Sequence, residues 1–155
     1  AKSWRPGSVL LLLAGSGIVI ASQVMQHQDP VANVGIRTSA SNHMLMPINL
    51  LYSCRKDDIC MLESLTAWCN MGLAHSAPPK GLVRCTLLLT EPRPGAVAPF
   101  PGAKDVATGE FEALGNTRIL ESHLSKELVN EELAVMQGPC RVVVSGPEAF
   151  NSAAW

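Results

Sequence analysis

The chain has 155 residues, 47% of them hydrophobic and 16% charged, the size and apolar content of one domain with a real core. A formal net charge of -1 supplies no field to gather phosphate backbones or anionic lipid, so neither nucleic acid nor membrane contact is expected of this domain. Cys54, Cys60, Cys69, Cys85 and Cys140 are odd in number and contain no C-x-x-C pair, which argues against a structural zinc site or a thioredoxin motif. They are expected to be reduced, mostly buried thiols in an intracellular reducing compartment, cytoplasmic or mitochondrial.

Lys2 and Arg5 ahead of the apolar run Val9 to Leu13, with Ala21-Ser22 beyond, imitate a secretory leader. Gly15, Ser16 and Gly17 interrupt that run where a leader helix is continuous, and it is too short to span a bilayer. A secreted protein that loses its first twenty or so residues is therefore the weakest reading, and five cysteines fit it poorly. Ser8 to Ala14 reads instead as a central parallel strand covered on both faces, because it carries no polar alternation.

The glycine turn runs into a helix, with Ile18, Ala21, Val24 and Met25 at helical spacing. Residues 30–46 have no sustained period and read as a surface insertion. Ile48 to Tyr52 restarts the strand pattern, and Asp57-Asp58 are expected to open a helix with Ile59, Leu62, Leu65 and Cys69 on one face. Leu82 to Thr90 is the third strand, followed by a proline- and glycine-rich loop over 91–116. Leu120, Leu124, Leu128 and Leu133 mark a further amphipathic helix, and Arg141 to Ser145 the last strand. Repeated strand-helix alternation with connections too long for hairpins predicts an α/β fold: a three-layer αβα sandwich on a mostly parallel five-stranded sheet.

Ligands of such sheets bind beyond the carboxyl ends of the strands, which singles out three segments. Gly15-Ser16-Gly17 leaves the first strand and opens a helix, so bare backbone and unpaired amides can approach a pyrophosphate; the alternative is a tight turn chosen for packing. Tyr52, Ser53 and Arg55 follow the second strand, where a ribose 2'-hydroxyl or 2'-phosphate would lie; alternatively Arg55 is a solvated charge. Ser145, Gly146, Pro147 and Glu148 make a rigid turn that can lie against a nicotinamide ring, or simply let the last strand exit.

Other chemistries find no footing. His27, His43, His75 and His123 have no metal spacing, and no Gly-x-Ser-x-Gly elbow is present, so neither a metal site nor a hydrolase is expected. Glu131 and Glu132 fall on the polar side of their helix and are expected to face solvent without a role.

In order and type these motifs resemble the C-terminal domain of the ferredoxin-NADP reductase superfamily, its cytochrome b5 reductase-like branch above all. Ala14 to Ile20 resembles the family's Gly-Gly-Thr-Gly-Ile-x-Pro turn, with Ile18 at the motif's isoleucine and Ile20 in place of the proline. Leu50 to Arg55 with Asp57-Asp58-Ile59 resembles its second-strand signature, and Cys85 to Thr90 its third strand. Arg118-Ile119 with Ser125 to Leu128 is similar to its Gly-Arg-Ile and helix segment, and Val142 to Phe150 to its Cys-Gly-Pro-x-x-Met ending, with Ser145 in place of the cysteine that approaches the nicotinamide.

The resemblance implies a single NAD(P)-binding domain over 1–155, excised from a longer FAD-containing reductase whose flavin-binding barrel precedes it. It implies NAD or NADP held by Gly15, Ser16, Gly17, Ile18, Tyr52, Ser53, Arg55, Gly146, Pro147 and Glu148, with Ser145 at the hydride-transfer position. Electrons would pass from NAD(P)H through flavin to an acceptor, and the isolated domain would be inactive alone. A non-catalytic interaction module that keeps this fold without nucleotide binding is the second expectation.

Overall fold

Seven consecutive buried residues make β1 (Ser8–Ala14) the middle of the molecule. The structure, a computed structural model, describes residues 7–28, 46–71, 81–95 and 103–154. After β1 a short 3-10 turn (Gly15–Ile18) leads into α1 (Val19–Gln28), followed by β2 (Pro47–Arg55), α2 (Leu62–Met71), β3 (Gly81–Thr90) and α3 (Ala103–Glu112). The chain continues through β4 (Thr117–Leu120), α4 (Lys126–Val135), β5 (Cys140–Ser145) and α5 (Glu148–Ala153). The strands form one sheet in the order β4-β3-β2-β1-β5, and every neighbouring pair is parallel.

Strand side chains alternate between faces, and both faces of this sheet are buried. Val9, Leu11, Leu13, Ile48, Leu50, Tyr52, Cys85 and Leu87 pack with Ile18 and Ala21, with Leu65 and Cys69 of α2, and with Phe111 of α3. Leu10, Leu12 and Leu51 pack on the other side with Leu124, Val129, Met136 and Phe150. Helices α1 to α3 thus cover one face and α4 and α5 the other, which is the expected three-layer αβα sandwich. The division follows from strand order: β1 to β4 are laid down in one direction, then the chain returns to place β5 beside β1. With a constant crossover hand, the reversed step puts its helix on the opposite face, and α4 is that helix.

Helix α4 docks through a buried carboxylate. Glu132 is 0% exposed; its Oε1 accepts from Arg84 Nε at 2.9 Å and Arg118 Nη2 at 3.2 Å, and its Oε2 from Asn49 Nδ2 at 2.9 Å. Those partners come from β2, β3 and β4, so one side chain ties the helix to three strands. Arg118 also donates to Thr86 Oγ1 at 2.9 Å and meets Glu131 at 3.4 Å. Arg84 reaches this face because of a β-bulge: Ile48 pairs with Leu82 and Asn49 with Arg84, leaving Val83 as the extra residue. Without that extra residue, Arg84 would share the face of Leu82, among the apolar side chains under α2.

Four expectations are corrected. Glu132 is buried rather than solvent-facing, because the helix that carries it lies across a sheet face studded with Asn49, Arg84 and Arg118. The 91–116 segment contains α3 despite its glycines and prolines, since Phe111, 0% exposed, anchors it in the core. Leu120 ends β4 and Leu124 precedes α4, so only Leu128 and Leu133 of that leucine series are helical. Helix α2 starts at Leu62 rather than at Asp57-Asp58, because Asp58 pairs back to Arg55 in a tight bridge and Met61 takes a φ of 60°. The 30–46 insertion lies outside the described residues except for Met46, which leads into β2.

None of the five cysteines is in a disulfide, and Cys54, Cys69 and Cys85 are buried; burial, then a hydrogen bond with Cys69, pushes the Cys85 thiol well above its ordinary range. Among the described residues no helix is long and apolar enough to cross a membrane.

Replacing Glu132 with alanine leaves two guanidinium groups without their shared acceptor. The expected loss is about 3–5 kcal/mol of unfolding free energy, read as a lower urea midpoint at unchanged slope. Glu131→Ala, at the exposed end of the same cluster, is expected to cost less than about 1 kcal/mol.

Candidate functional site

The strand order reverses between β1 and β5, and crevices in open α/β sheets lie beyond the carboxyl ends of strands at such a point. Gly15-Ser16-Gly17 leaves β1 there, and Ser145-Gly146-Pro147 leaves β5. Leu13 pairs with Ser145, so the two turns leave the sheet side by side at one rim. Ala14 pairs with Ser53 on the other flank, which brings the end of β2 to the same level. The three segments singled out from the sequence therefore converge.

The glycines of this rim have different reasons to be glycine. A Cβ on Gly17 would run into the backbone carbonyl of Ser145, whose carbon would lie 2.9 Å away. One on Gly146 would lie 2.8 Å from both the Ala14 Cβ and the Phe150 ring. These two residues seat the turns against each other. Gly15 has φ 53° and nothing within 4 Å of where a Cβ would be; it is there for a left-handed backbone, and its outer side is open.

Burial separates residues that can touch a ligand from those that support them. Gly15, Ser16, Arg55, Pro147 and Glu148 are exposed, and Gly17, Ser53, Ser145 and Gly146 are half-buried. Ile18 is 1% exposed and Tyr52 0%, which corrects their assignment as cofactor contacts: both belong to the core under α1. Tyr52 acts from behind the turn, its hydroxyl donating to the Gly15 carbonyl oxygen at 3.3 Å. Burial, reinforced by Cys54, holds the Tyr52 phenol far above its ordinary range, so it remains a protonated donor. Ile20 packs half-buried on the same core.

Charges at the end of β2 are organised in pairs. Lys56 meets Glu121 at 3.0 Å, and that hydrogen bond raises the lysine's pKa. Asp58 meets Arg93 at 3.5 Å, and the Arg93 backbone N-H donates to Asp57 Oδ1 at 3.3 Å, so the loop after β3 is tied to the loop after β2. Arg55 stands exposed beside them. Among the described residues no group of three or more His, Cys, Asp or Glu side chains is placed to hold a metal ion.

Two features of this rim bear on ligand binding. The first amides of a helical turn have no partner within it and carry partial positive charge, and here they belong to the exposed Gly15-Ser16 backbone, unobstructed by a side chain. Ser53 and Arg55 stand one strand over, on the β2 side, and the Gly146-Pro147 corner on the β5 side, so the two ends of a dinucleotide would meet chemically different groups.

Compared with known proteins, the chain matches no family model, no curated protein and no solved structure. The site therefore rests on its own geometry.

What the sequence reading missed lies at the other rim: Ser8, Asn49, Arg84 and Glu132. Its only sequence signal is that Asn49 and Arg84 interrupt strands that are otherwise apolar.

Gly15→Ala places a Cβ in a left-handed conformation and is expected to cost about 1–2 kcal/mol in urea unfolding, without a steric clash. Gly17→Ala carries no left-handed backbone cost but must push the β5 carbonyl of Ser145 away, so its midpoint should fall further than that of Gly15→Ala. Tyr52→Phe removes one hydrogen bond and should cost about 0.5–1.5 kcal/mol.

Proposed function

We propose that this chain is the pyridine-nucleotide-binding domain of an FAD-dependent oxidoreductase that passes electrons from NAD(P)H through flavin to an acceptor. The observation that carries this reading is the convergence of the Gly15-Ser16-Gly17 turn, the Ser53/Arg55 strand end and the Gly146-Pro147 corner at one switch point. In this proposal the Gly15 and Ser16 amides grip the diphosphate. Ser53 and Arg55 take the adenosine ribose, and Gly146, Pro147 and Glu148 flank the nicotinamide.

When bound, the nicotinamide supplies a hydride to a flavin, which a barrel domain of the same full-length chain would hold. The residues described here bind and orient. Ser145, half-buried at the end of β5 beside the β1 turn, is a positioning residue at the nicotinamide end. Its hydroxyl is a far weaker nucleophile and acid than a thiol, so covalent participation is not part of the proposal.

The second reading is a non-catalytic module of the same fold. It is favoured by the packing of Gly17 and Gly146, which are filled by their neighbours and would need no ligand to explain them.

Titrating the domain with NADH and NADPH separates the two. Saturable amide shifts at Gly15, Ser16, Gly17 and Gly146 are expected, with a rise in melting temperature; no response at millimolar nucleotide would leave only the module. Arg55→Ala should weaken NADPH by about tenfold, the scale of one charge-assisted contact, and leave NADH within about twofold if Arg55 reads the 2'-phosphate.

A further inference from the structure

The amino ends of β1, β2 and β3, opposite the proposed nucleotide rim, hold a cavity of about 240 Å³. It lies under the carboxyl end of α4, bounded by Ser8, Asn49, Val83, Arg84, Val135 and Met136. Its size is below the roughly 300–1,000 Å³ of drug-sized sites, which restricts an occupant to a small molecule.

The polar groups of this cavity are built in rather than scattered over a surface. Ser8 is 1% exposed, and its hydroxyl has no hydrogen-bond partner among the described residues. Buried hydroxyls are almost always partnered, so one left unpartnered at a cavity wall marks a place for a polar atom from outside. Asn49 is 4% exposed and held by its bond to Glu132. Arg84 gives its inner Nε to Glu132 at 2.9 Å while about a third of its side chain, 36%, stays exposed, so its outer amino groups remain as donors.

Charge and wall chemistry narrow the ligand. Glu132 divides its Oε1 between Arg84 and Arg118; Arg118 has a second carboxylate in Glu131, whereas Arg84 has only this shared one among the described residues. The outer amino groups of Arg84 therefore favour a carboxylate, while the nearness of Glu132 disfavours a dianion. Val83, Val135 and Met136 offer apolar wall. We infer that this cavity binds a small monocarboxylate with a short apolar body. Arg84 and the Ser8 hydroxyl take the carboxylate, and Val83, Val135 and Met136 enclose the alkyl part.

This site is independent of the nucleotide proposal, since it occupies the opposite rim. The probe is hexanoate, titrated into the whole 155-residue chain and followed by amide NMR, with hexanol as the uncharged control. Saturable shifts at Ser8, Asn49, Arg84 and Met136 are expected with hexanoate and not with hexanol, while Gly15 and Gly146 stay in place. Ser8→Ala, a change that leaves the Glu132 cluster intact, should weaken hexanoate by about tenfold, the scale of one hydrogen bond to a charged group. Met136→Trp should fill the cavity and abolish binding. No saturable shift through tens of millimolar hexanoate, an equal response to hexanol, or undiminished binding by Ser8→Ala would each overturn the inference.

Discussion

The arrangement depends on one buried carboxylate. Helix α4 must carry the chain from β4 at one edge of the sheet to β5 at the other, crossing the faces of β3, β2 and β1. Its apolar hold is thin: Leu133 is 38% and Val135 55% exposed. Glu132 supplies the missing specificity by accepting hydrogen bonds from three strands at once. A buried ion cluster adds little net stability compared with a well-packed apolar one, because desolvation offsets much of the Coulomb gain. What it provides here is position, since a carboxylate satisfied by three donors fits in one register and an apolar side chain tolerates several.

Position matters because β5 decides where the rim chemistry lies. Once α4 is seated, β5 pairs with β1 and Ser145 comes level with Leu13. The Gly-Pro corner then stands beside the glycine turn of β1, and the space between them is too small for Cβ atoms at Gly17 or Gly146. Close packing, against the Ser145 backbone at Gly17 and against the Ala14 and Phe150 side chains at Gly146, explains those two glycines without a ligand. Of the three rim glycines Gly15 combines a left-handed backbone with an open side, and Tyr52 steadies it from below. The segment that meets solvent is thus short and supported by buried groups.

The two ends of the sheet carry different chemistry for a common reason. At the carboxyl ends strands run into turns, and the side chains there pair off as Lys56 with Glu121 and Arg93 with Asp58. At the amino ends the polar groups are side chains of the strands themselves, Ser8, Asn49 and Arg84, enclosed beneath α4. The two proposals follow that difference: an extended anionic ligand held by backbone at the first rim, a small one held by side chains at the second.

Much of the fold was legible from local pattern. An unbroken apolar run cannot be half-solvated, so Ser8 to Ala14 had to be a central strand, and a Gly-x-Gly after it had to turn. The same logic found β2, β3 and β5 and the three segments that converge on the rim. Pattern fails where burial is decided by a distant partner. Glu132 looks like any surface glutamate until the crossover lays it over Arg84 and Arg118, and Arg84 reaches that face only through the extra residue Val83. Tyr52 and Ile18 sit in sequence among residues proposed to contact a ligand, yet both are buried in the core under α1. Alternation along a strand tells which residues share a face; which helix covers that face, and what charge it brings, follows from strand order, a property of contacts far apart in the chain.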